Sequence, residues 1–411
     1  MMKHLRQILF VLLFMSTLTG VCKTRKALFV IIDGIPADCI ERLQPPTIMD
    51  IARTGHYHRA YCGGEIRMYS QTPTISAIGY TNILTGTWMN KHNVQGNENI
   101  HINYNYWNIF RIAKNQKRSV TTAIYSGWTD NRTILLGDGK PEAGGIKVDY
   151  AYDGYDLDTL RFPKKKDMLE VYDYDCQVTA DAARSIRTEA PDLGWLYLWY
   201  TDDAFHSYGS GSYSDRYVMK TDSLLRKVWE AVKFREKKYG EEWLVIVTTD
   251  HGRYVDGYGH GGQTSRERTV WVSTNLKHVN AHFSESSLSH VDVNPTICKW
   301  MGFEVPRDVA FEQDGMSFYG RQGITNLFAT KYDNQIVVTW DCYDASETAT
   351  VYVAPTNNFA TGGRDEWQQV GSVKASAGRF AIDKAVLPKS KFYKITVVTP
   401  SAHLSRWWNI Y

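Results

Sequence analysis

The stretch ALFVIIDGI, residues 27–35, is a continuous apolar run that ends in an Asp-Gly pair at Asp33. A second run of this kind, WLVIVTTDHG at residues 243–252, ends in Asp250 and His251. Uninterrupted β-branched runs of this length are typical of strands buried on both faces, as in a parallel sheet covered by helices. Both runs therefore predict central strands, and their polar ends predict a ligand site at the carboxyl edge of the sheet.

The rest of the first two-thirds of the chain fits the same architecture. Residues 192–203, DLGWLYLWYTDD, form a third apolar run that ends in carboxylates, so we expect a third strand there. Helices are predicted at residues 215–238, from apolar residues at helical spacing, and at residues 289–303, where Pro295 lies near the start and Gly302 near the end. This alternation predicts a three-layer α/β/α fold with a mostly parallel central sheet.

The 411 residues divide into three predicted parts. Residues 1–22 have the basic start and short apolar segment of a signal peptide, too short to span a membrane. Residues 23–320 form the α/β domain, with a Tyr-rich, cap-like excursion at about 130–175, for which a plain solvated loop is the alternative. Residues 321–411 carry short β-branched runs separated by turns, which predict a small β-sandwich and resemble a fibronectin type III module.

The signal peptide predicts a secreted or periplasmic protein with no integral membrane segment after its removal. Cys22 is a candidate site for a lipoprotein anchor, although Val21 precedes it where a small residue is normal. Cys39 and Cys62 either form a disulfide or remain buried thiols, and the sequence leaves both open. The net charge of only +3 gives no indication of binding to a nucleic acid duplex.

Two of the three polar segments, each considered alone, could hold either metal ligands or ordinary turn and capping residues. An Asp-Gly pair such as the one at Asp33 is usually a turn. Asp202 and His206 are four residues apart, so one turn of helix would place both on one face, where they could share a metal. A capping Asp and a surface His are the alternative.

The third polar segment, TTDHGRYVDGYGHGGQ at residues 248–263, favours metal binding more directly. A carboxylate at the end of a buried strand is costly unless something compensates it, and a cation is one such partner. All segments together supply three carboxylates and three imidazoles, enough for two divalent ions with positions left for a nucleophile and a substrate. The candidate ligands are Asp33, Asp202, His206, Asp250, His251 and His260.

The order of these residues resembles that of the alkaline phosphatase superfamily, in particular its nucleotide pyrophosphatase/phosphodiesterase-like branch. The shared pattern is Asp, Ser or Thr, Asp-x-x-x-His, Asp-His and a final His, and it spans about residues 25–305. The resemblance implies a metal-dependent phosphoric ester hydrolase with two divalent ions, zinc (Zn2+) or alternatively manganese (Mn2+). It implies that one ion is held by Asp33, Ser76, Asp250 and His251, and the other by Asp202, His206 and His260.

The resemblance also locates a nucleophile in YSQTPTISAIGYTNILTG, residues 69–86. In the family this residue lies ten positions before the Gly of a Thr-Gly pair, and counting back from Gly86 gives Ser76. Asn97, 21 residues after Ser76, matches the Asn that donates to a non-bridging phosphoryl oxygen. Ser76 followed by Ala77 departs from the Thr-aromatic pair of the phosphodiesterase branch and is closer to the alkaline monoesterases.

The resemblance therefore implies a secreted two-metal phosphoesterase of the phosphodiesterase/nucleotide pyrophosphatase kind, which acts through a phosphoseryl intermediate on a small phosphate ester with a nucleotide or lipid head group. Three alternatives are a phosphomonoesterase of the same superfamily, a transferase that passes a phospho-head-group to an acceptor other than water, and a non-catalytic relative that binds glycans or partners. Tyr106 and Trp107 are candidates for stacking on a substrate, with core packing as the alternative.

Overall fold

The structure is a computed structural model that describes residues 23–285 and 287–409. The predicted signal peptide and Cys22 lie outside the described residues. Within the described ranges, none of the helices combines the length and the apolar character that crossing a bilayer requires. In the same ranges Cys39 and Cys62 are both buried free thiols, which is the second of the two states that the sequence leaves open.

A seven-stranded sheet lies at the centre of the larger region. Its strands are β1 (Arg25–Ile32), β2 (His56–Tyr61), β3 (Thr122–Ser126), β4 (Tyr150–Tyr152), β5 (Leu193–Leu198), β6 (Glu242–Thr248) and β7 (Thr269–Thr274). They lie in the order β2-β7-β6-β1-β5-β3-β4. Strand β7 is antiparallel to both of its neighbours, β6 and β2, and the other pairings of this sheet are parallel. The mostly parallel sheet predicted from the sequence is confirmed.

The packing of β1 explains why its residues 27–32 are apolar without interruption. Phe29 and Ile31 belong to one hydrophobic core, whereas Val30 and Ile32 belong to another. Because successive side chains of a strand point to opposite faces, the two cores lie on the two sides of the sheet. Both faces of β1 are therefore covered from Ala27 to Ile32, where every side chain is apolar, and the charged residues Arg25 and Lys26 lie at the start of the strand.

Helices cover both faces of the sheet. They are α1 (Ala37–Leu43), α2 (Pro46–Thr54), α3 (Ser76–Thr85), α4 (Met89–His92), α5 (Ile109–Lys114), α6 (Leu169–Thr188), α7 (Tyr200–Tyr208), α8 (Ser212–Tyr239), α9 (Ser265–Arg268), α10 (His282–Glu285), α11 (Val293–Met301) and α12 (Arg307–Ala310). Helices α3 and α11 contribute to one core, and α6 and α8 contribute to the other. The two helices predicted from the sequence correspond to α8 and α11.

The predicted strand at 192–203 is wrong in its second half. Strand β5 ends at Leu198, and α7 begins at Tyr200. The carboxylate of Asp175, on α6, accepts hydrogen bonds from the backbone N–H groups of Trp199 and Tyr200, each at 2.9 Å. A carboxylate at this position satisfies N–H groups that have no partner inside the helix, so a contact from a distant helix starts α7.

The excursion at about 130–175 contains regular structure. A π-helical turn at Asn131–Leu136 precedes β4, which pairs in parallel with β3 and forms an edge of the sheet. Residues 153–168 then leave β4 at the carboxyl edge of the sheet and lead into α6. The excursion as a cap over the site stays a prediction.

The C-terminal region consists of two antiparallel sheets, which carry a core of their own. Its strands are β8 (Ile324–Tyr332), β9 (Gln335–Cys342), β10 (Thr348–Ala354), β11 (Gln368–Lys374), β12 (Arg379–Asp383), β13 (Phe392–Val398) and β14 (His403–Asn409). The four-stranded sheet has the order β11-β10-β13-β14 and the three-stranded sheet the order β12-β9-β8. The boundary at 320/321 and the fibronectin type III-like assignment stay predictions.

The C-terminal region packs against the α/β region through polar and aromatic contacts. The guanidinium of Arg406 forms two hydrogen bonds with the carboxylate of Glu65, at 2.7 and 2.6 Å. Tyr106 is buried with its ring edge-on to Phe359, at 5.3 Å between centroids. Tyr106 therefore packs in the core and is not available to stack on a substrate.

Candidate active site

Three buried side chains at strand ends form a first group, which we call cluster one: Asp33, Asp250 and His251. Asp33 follows β1, and Asp250 and His251 follow the neighbouring parallel strand β6, so all three lie at one edge of the sheet. His251 Nε2 lies 3.2 Å from Asp250 Oδ2 and 3.6 Å from Asp33 Oδ1. Each residue is at most 1% exposed.

Only one oxygen of each carboxylate in cluster one accepts a hydrogen bond. Tyr80 and Tyr197 donate their hydroxyl protons to Asp33 Oδ2, and the Gly34 N–H donates to Asp250 Oδ1. Within the described residues, Asp33 Oδ1 and Asp250 Oδ2 are buried without a hydrogen-bond partner. Burial, and next the charge of Asp33, raises the pKa of Asp250 well above its usual range. A bound cation would satisfy both orphan oxygens.

Two imidazoles are oriented by backbone carbonyls. His251 Nδ1 donates to Gly252 O at 2.9 Å, and His260 Nδ1 donates to Thr74 O at 2.8 Å. These bonds assign the proton to Nδ1 and leave the Nε2 lone pair of each ring for a ligand. Burial lowers the pKa of both rings, that of His260 to about 2, so both are neutral ligands near pH 7.

A second group, cluster two, consists of Asp202, His206 and His260. His206 Nε2 lies 3.2 Å from Asp202 Oδ2 and 3.1 Å from His260 Nε2. Asp202 and His206 lie one turn apart on α7, as the four-residue spacing predicts. The rings of His260 and His251 stack at 3.7 Å between centroids, so the two clusters adjoin.

Ser76, the predicted nucleophile, is the first residue of α3 and lies beside cluster one. Its Oγ is 3.2 Å from His251 Nε2. Helix α3 approaches cluster one closely at Gly79, where a Cβ would lie 2.8 Å from both the Cβ and the backbone oxygen of Asp250. This close approach requires a glycine and places Ser76 against the end of β6.

Asn97 lies at the same helix N-terminus. Its Oδ1 accepts a hydrogen bond from the Ala77 N–H at 2.9 Å, which leaves its NH2 group to donate elsewhere. Helix α3 also supports the loop that carries Asn97: the Val94 N–H donates to His92 Nδ1, and His92 Nε2 donates to Asn82 Oδ1 on α3. Asn97 and Ser76 are therefore neighbours, as the spacing of 21 residues implies.

Several residues of the site carried no signal in the sequence. Arg253, directly after the Asp-His-Gly run, is fully buried and bonds to Asp202. Asp203 is buried beside cluster two, and burial raises its pKa to about 7. Asp175 positions the start of α7, and burial likewise raises its pKa to about 7. An ionisable residue in or next to a ligand segment is the one clue that could have marked Arg253 and Asp203.

The two clusters offer the donor atoms of metal sites. In each, one ligand atom per residue lies within 4.8 Å of the others. Carboxylate oxygens and neutral imidazole nitrogens suit divalent ions such as zinc and manganese. The orphan oxygens of cluster one and the oriented Nε2 atoms fit this chemistry, so the residues present suit bound cations.

The sequence and structure are similar to those of several known proteins. Residues 27–254 match the family model described as type I phosphodiesterase / nucleotide pyrophosphatase. Over 127 residues the chain is 25% identical to GPI ethanolamine phosphate transferase 2 of Schizosaccharomyces pombe, a match that covers 27% of this chain and 17% of that protein. The aligned part thus spans about one sixth of the length of that curated relative.

Among solved structures, a candidate sulfatase from Bacteroides thetaiotaomicron has a TM-score of 0.50 at 10% identity, over 94% of this chain and 86% of that chain. Murine ectonucleotide pyrophosphatase / phosphodiesterase 5 has a TM-score of 0.46 at 12% identity, over 68% of this chain and 96% of that chain. At such identities the likeness concerns the fold alone.

The family match covers more than half of the chain. It includes all of cluster one, Ser76, Asn97 and the α7 residues of cluster two, and it ends before His260. Members of this family are metal-dependent, in keeping with the two clusters. The chain belongs to the type I phosphodiesterase / nucleotide pyrophosphatase family.

Proposed function

We propose that this chain is a secreted, metal-dependent phosphoesterase that cleaves phosphodiesters through an ester formed on Ser76. One observation carries the proposal: Ser76 Oγ lies at the N-terminus of α3, 3.2 Å from His251 of cluster one, with cluster two adjoining through the stacked ring of His260. The proposed nucleophile, the two proposed cation sites and a helix N-terminus are thus neighbours at the carboxyl edge of the sheet, which supports the proposal.

The proposed cofactors are two divalent ions, zinc or alternatively manganese. When bound, such ions lower the pKa of a coordinated hydroxyl and stabilise negative charge on the phosphoryl and leaving oxygens. The residues proposed to hold one ion are Asp33, Ser76, Asp250 and His251, and those proposed to hold the other are Asp202, His206 and His260.

We expect side chains of this protein to position the atoms that react. Ser76 Oγ lies 3.2 Å from the His251 Nε2 atom that would hold an ion, so a bound ion would replace this hydrogen bond and lie beside Oγ. Attack of Oγ on phosphorus forms the Ser76 ester and breaks the bond to the leaving oxygen, which departs with a proton as an alcohol. Water then attacks the same phosphorus and frees Ser76.

Hydrogen-bond donors of the chain would also stabilise negative charge on the phosphoryl oxygens. The NH2 group of Asn97 is left to donate because its Oδ1 is bonded to the Ala77 N–H. The positive end of the α3 dipole points to the same place. Fixed donors of this kind stabilise an anionic transition state without any cost of reorganisation.

The proposed substrates are small phosphodiesters with a nucleotide or a lipid head group. The phosphodiesterase family model supports a diester. The Ser76-Ala77 pair keeps a phosphomonoesterase as the alternative. A small chromogenic panel separates them: bis-para-nitrophenyl phosphate and a nucleoside para-nitrophenyl ester should both be hydrolysed faster than para-nitrophenyl phosphate.

A specific observation supports transfer of the phosphorylated group to an acceptor other than water as a second candidate function. The curated relative with 25% identity over 127 residues is an ethanolamine phosphate transferase. If this chain is a transferase, adding ethanolamine or another alcohol should divert the phosphorylated group from water to the alcohol. Hydrolysis that is unchanged in a large excess of alcohol supports the hydrolase.

Replacement of the nucleophile tests the proposal. Ser76→Ala should remove turnover of bis-para-nitrophenyl phosphate and leave the metal content near that of the wild type. Ser185→Ala is a matched control, because Ser185 is also buried but bonds to Tyr125 on the far side of the sheet. Full activity of Ser76→Ala would contradict the mechanism. A metal-loaded wild type that hydrolyses none of the esters would instead support a non-catalytic binding protein.

A further inference from the structure

Arg253 is a cation buried between the two clusters. It follows the Asp-His-Gly run, its side chain is fully buried, and its guanidinium lies 5.1 Å from the ring centroid of Phe205 on α7. A buried guanidinium is costly unless its N–H groups find acceptors. The acceptors of its N–H groups therefore show which parts of the site Arg253 connects.

The guanidinium binds three separate segments at once. Nη2 donates to the Asp202 carboxylate and, at 3.1 Å, to the Asp202 backbone oxygen on α7. Nε donates to Gly34 O at 2.8 Å, in the turn after β1. Nη1 donates to Tyr258 O at 3.2 Å, in the loop that leads to His260. One side chain thus joins the turn of Asp33, the helix of Asp202 and the loop of His260.

Gly34 leaves the space that this arrangement needs. It has a φ of +66°, and a Cβ on it would lie 2.5 Å from Asp202 Oδ1 and closer still to the Arg253 guanidinium. A glycine therefore accommodates both the backbone conformation and the close passage of the ion pair. The turn after β1 is shaped around Arg253 and Asp202.

Cluster two needs such a connection more than cluster one does. Cluster one is held by the ends of two paired strands. The members of cluster two lie on a helix and on a loop, and the tip of that loop at Val255 is 88% exposed. The contacts of Arg253 with Asp202 and with the Tyr258 carbonyl connect this helix to this loop.

We infer that Arg253 is a positioning residue for cluster two: it holds α7 and the loop of residues 252–260 at the separation at which Asp202, His206 and His260 bind one ion. The inference rests on the proposed two-ion site. A lysine cannot replace it, because one ammonium group does not present a planar fork to acceptors on three segments.

Measurement of metal binding tests this inference without reference to turnover. Purified Arg253→Lys and Arg253→Met are titrated with zinc by calorimetry, and bound zinc is counted by elemental mass spectrometry. The wild type should bind two ions. Both variants should keep the ion of cluster one and bind the second about 10- to 100-fold more weakly, the usual effect of losing a residue that orients a ligand.

Arg235→Lys is a matched control. Arg235 is also nearly buried, forms a forked ion pair with Glu241 and donates to the Arg187 carbonyl at 3.2 Å, but it lies on α8 away from both clusters. This variant should bind two ions as the wild type does. Melting temperatures of all variants identify any general loss of structure, and Arg253→Lys retains a charge and a long side chain if Arg253→Met does not fold.

Three results would overturn the inference: wild-type binding of both ions by the variants, tighter binding of the second ion, or loss of both ions together. Tighter binding would mean that the guanidinium mainly repels the metal, and joint loss would mean that Arg253 supports the whole structure. A wild-type chain that binds no zinc or manganese contradicts the proposed function itself, and this inference with it.

Discussion

Cluster one and cluster two contain the same kinds of donor atoms but are built differently. Cluster one lies on the ends of the paired strands β1 and β6, and each of its residues is at most 1% exposed. Cluster two lies on α7 and a loop, and the side chain of His206 is 43% exposed. The contrast indicates that the sheet itself fixes cluster one, whereas cluster two depends on contacts such as those of Arg253.

Cluster one and cluster two are also expected to have different roles. Ser76 and Asn97 both lie at the N-terminus of α3 on the side of cluster one. Ser76 is buried, whereas Asn97 and His206 are exposed, so the open side of the site lies at these two residues. We therefore expect bond formation to depend most on the buried side, and exchange of metal and leaving group to occur on the open side.

Asp250→Asn should have the largest effect, because it removes a negative charge and a buried ligand oxygen while keeping the shape of the side chain. We expect kcat/KM for bis-para-nitrophenyl phosphate to fall at least about 10³-fold, which corresponds to about 4 kcal/mol of lost charge stabilisation. Excess zinc should not restore it. Activity within tenfold of the wild type would contradict the role given to cluster one.

Asn97→Ala should have the next largest effect. Loss of one donor to the phosphoryl oxygens is expected to lower kcat about 10²-fold. The two-ion metal content should be unchanged, because Asn97 belongs to neither cluster. Gln95→Ala, an exposed change in the same loop, is the control and should leave kcat as it is. A loss of metal in Asn97→Ala would show that the residue acts on the clusters instead.

His206→Gln should have a smaller effect that added metal reverses. Removing the exposed ligand of cluster two is expected to lower activity about 10- to 100-fold at limiting zinc, and excess zinc should recover most of it. Activity measured across a zinc titration tests this. If excess zinc restores Asp250→Asn as readily as His206→Gln, the buried and the open cluster do not differ as described.

The pH dependence of metal binding should give the smallest effect. Because burial raises the pKa of Asp250 well above its usual range, the metal-free protein keeps a proton there to a higher pH than an exposed carboxyl does, and an incoming ion must displace it. Affinity at cluster one should therefore rise as the pH rises. His260, with a pKa lowered to about 2, holds no proton to displace above pH 4. Calorimetry in two buffers with different heats of ionisation measures the released protons. Absence of proton release on binding at cluster one would contradict this.

The proximity of the cluster-one side chains could be expected from the sequence because the pattern is local. Asp33 and Asp250 each end an apolar run, and a parallel sheet brings the carboxyl ends of its strands to one edge. Ser76 and Asn97 could be located only from family spacing, because the approach of α3 depends on the fit of Gly79 against cluster one, which no local pattern reveals.

The parts that the sequence does not predict depend on distant contacts. The start of α7 is set by Asp175, on another helix, so the strand predicted there runs too far. The role of Arg253 depends on Gly34 and Asp202, which are far from it in the sequence. Propensity and periodicity describe neighbours along the chain and carry no information about such pairs.

The most direct test of the proposed mechanism is identification of the residue that carries the phosphorylated group during turnover. Metal-loaded enzyme is mixed with bis-para-nitrophenyl phosphate, quenched in acid within the first turnovers, digested and analysed by mass spectrometry. We predict a para-nitrophenyl phosphoryl group on Ser76 in the wild type and none in Ser76→Ala. A modified residue other than Ser76, or rapid hydrolysis by Ser76→Ala, would contradict the account.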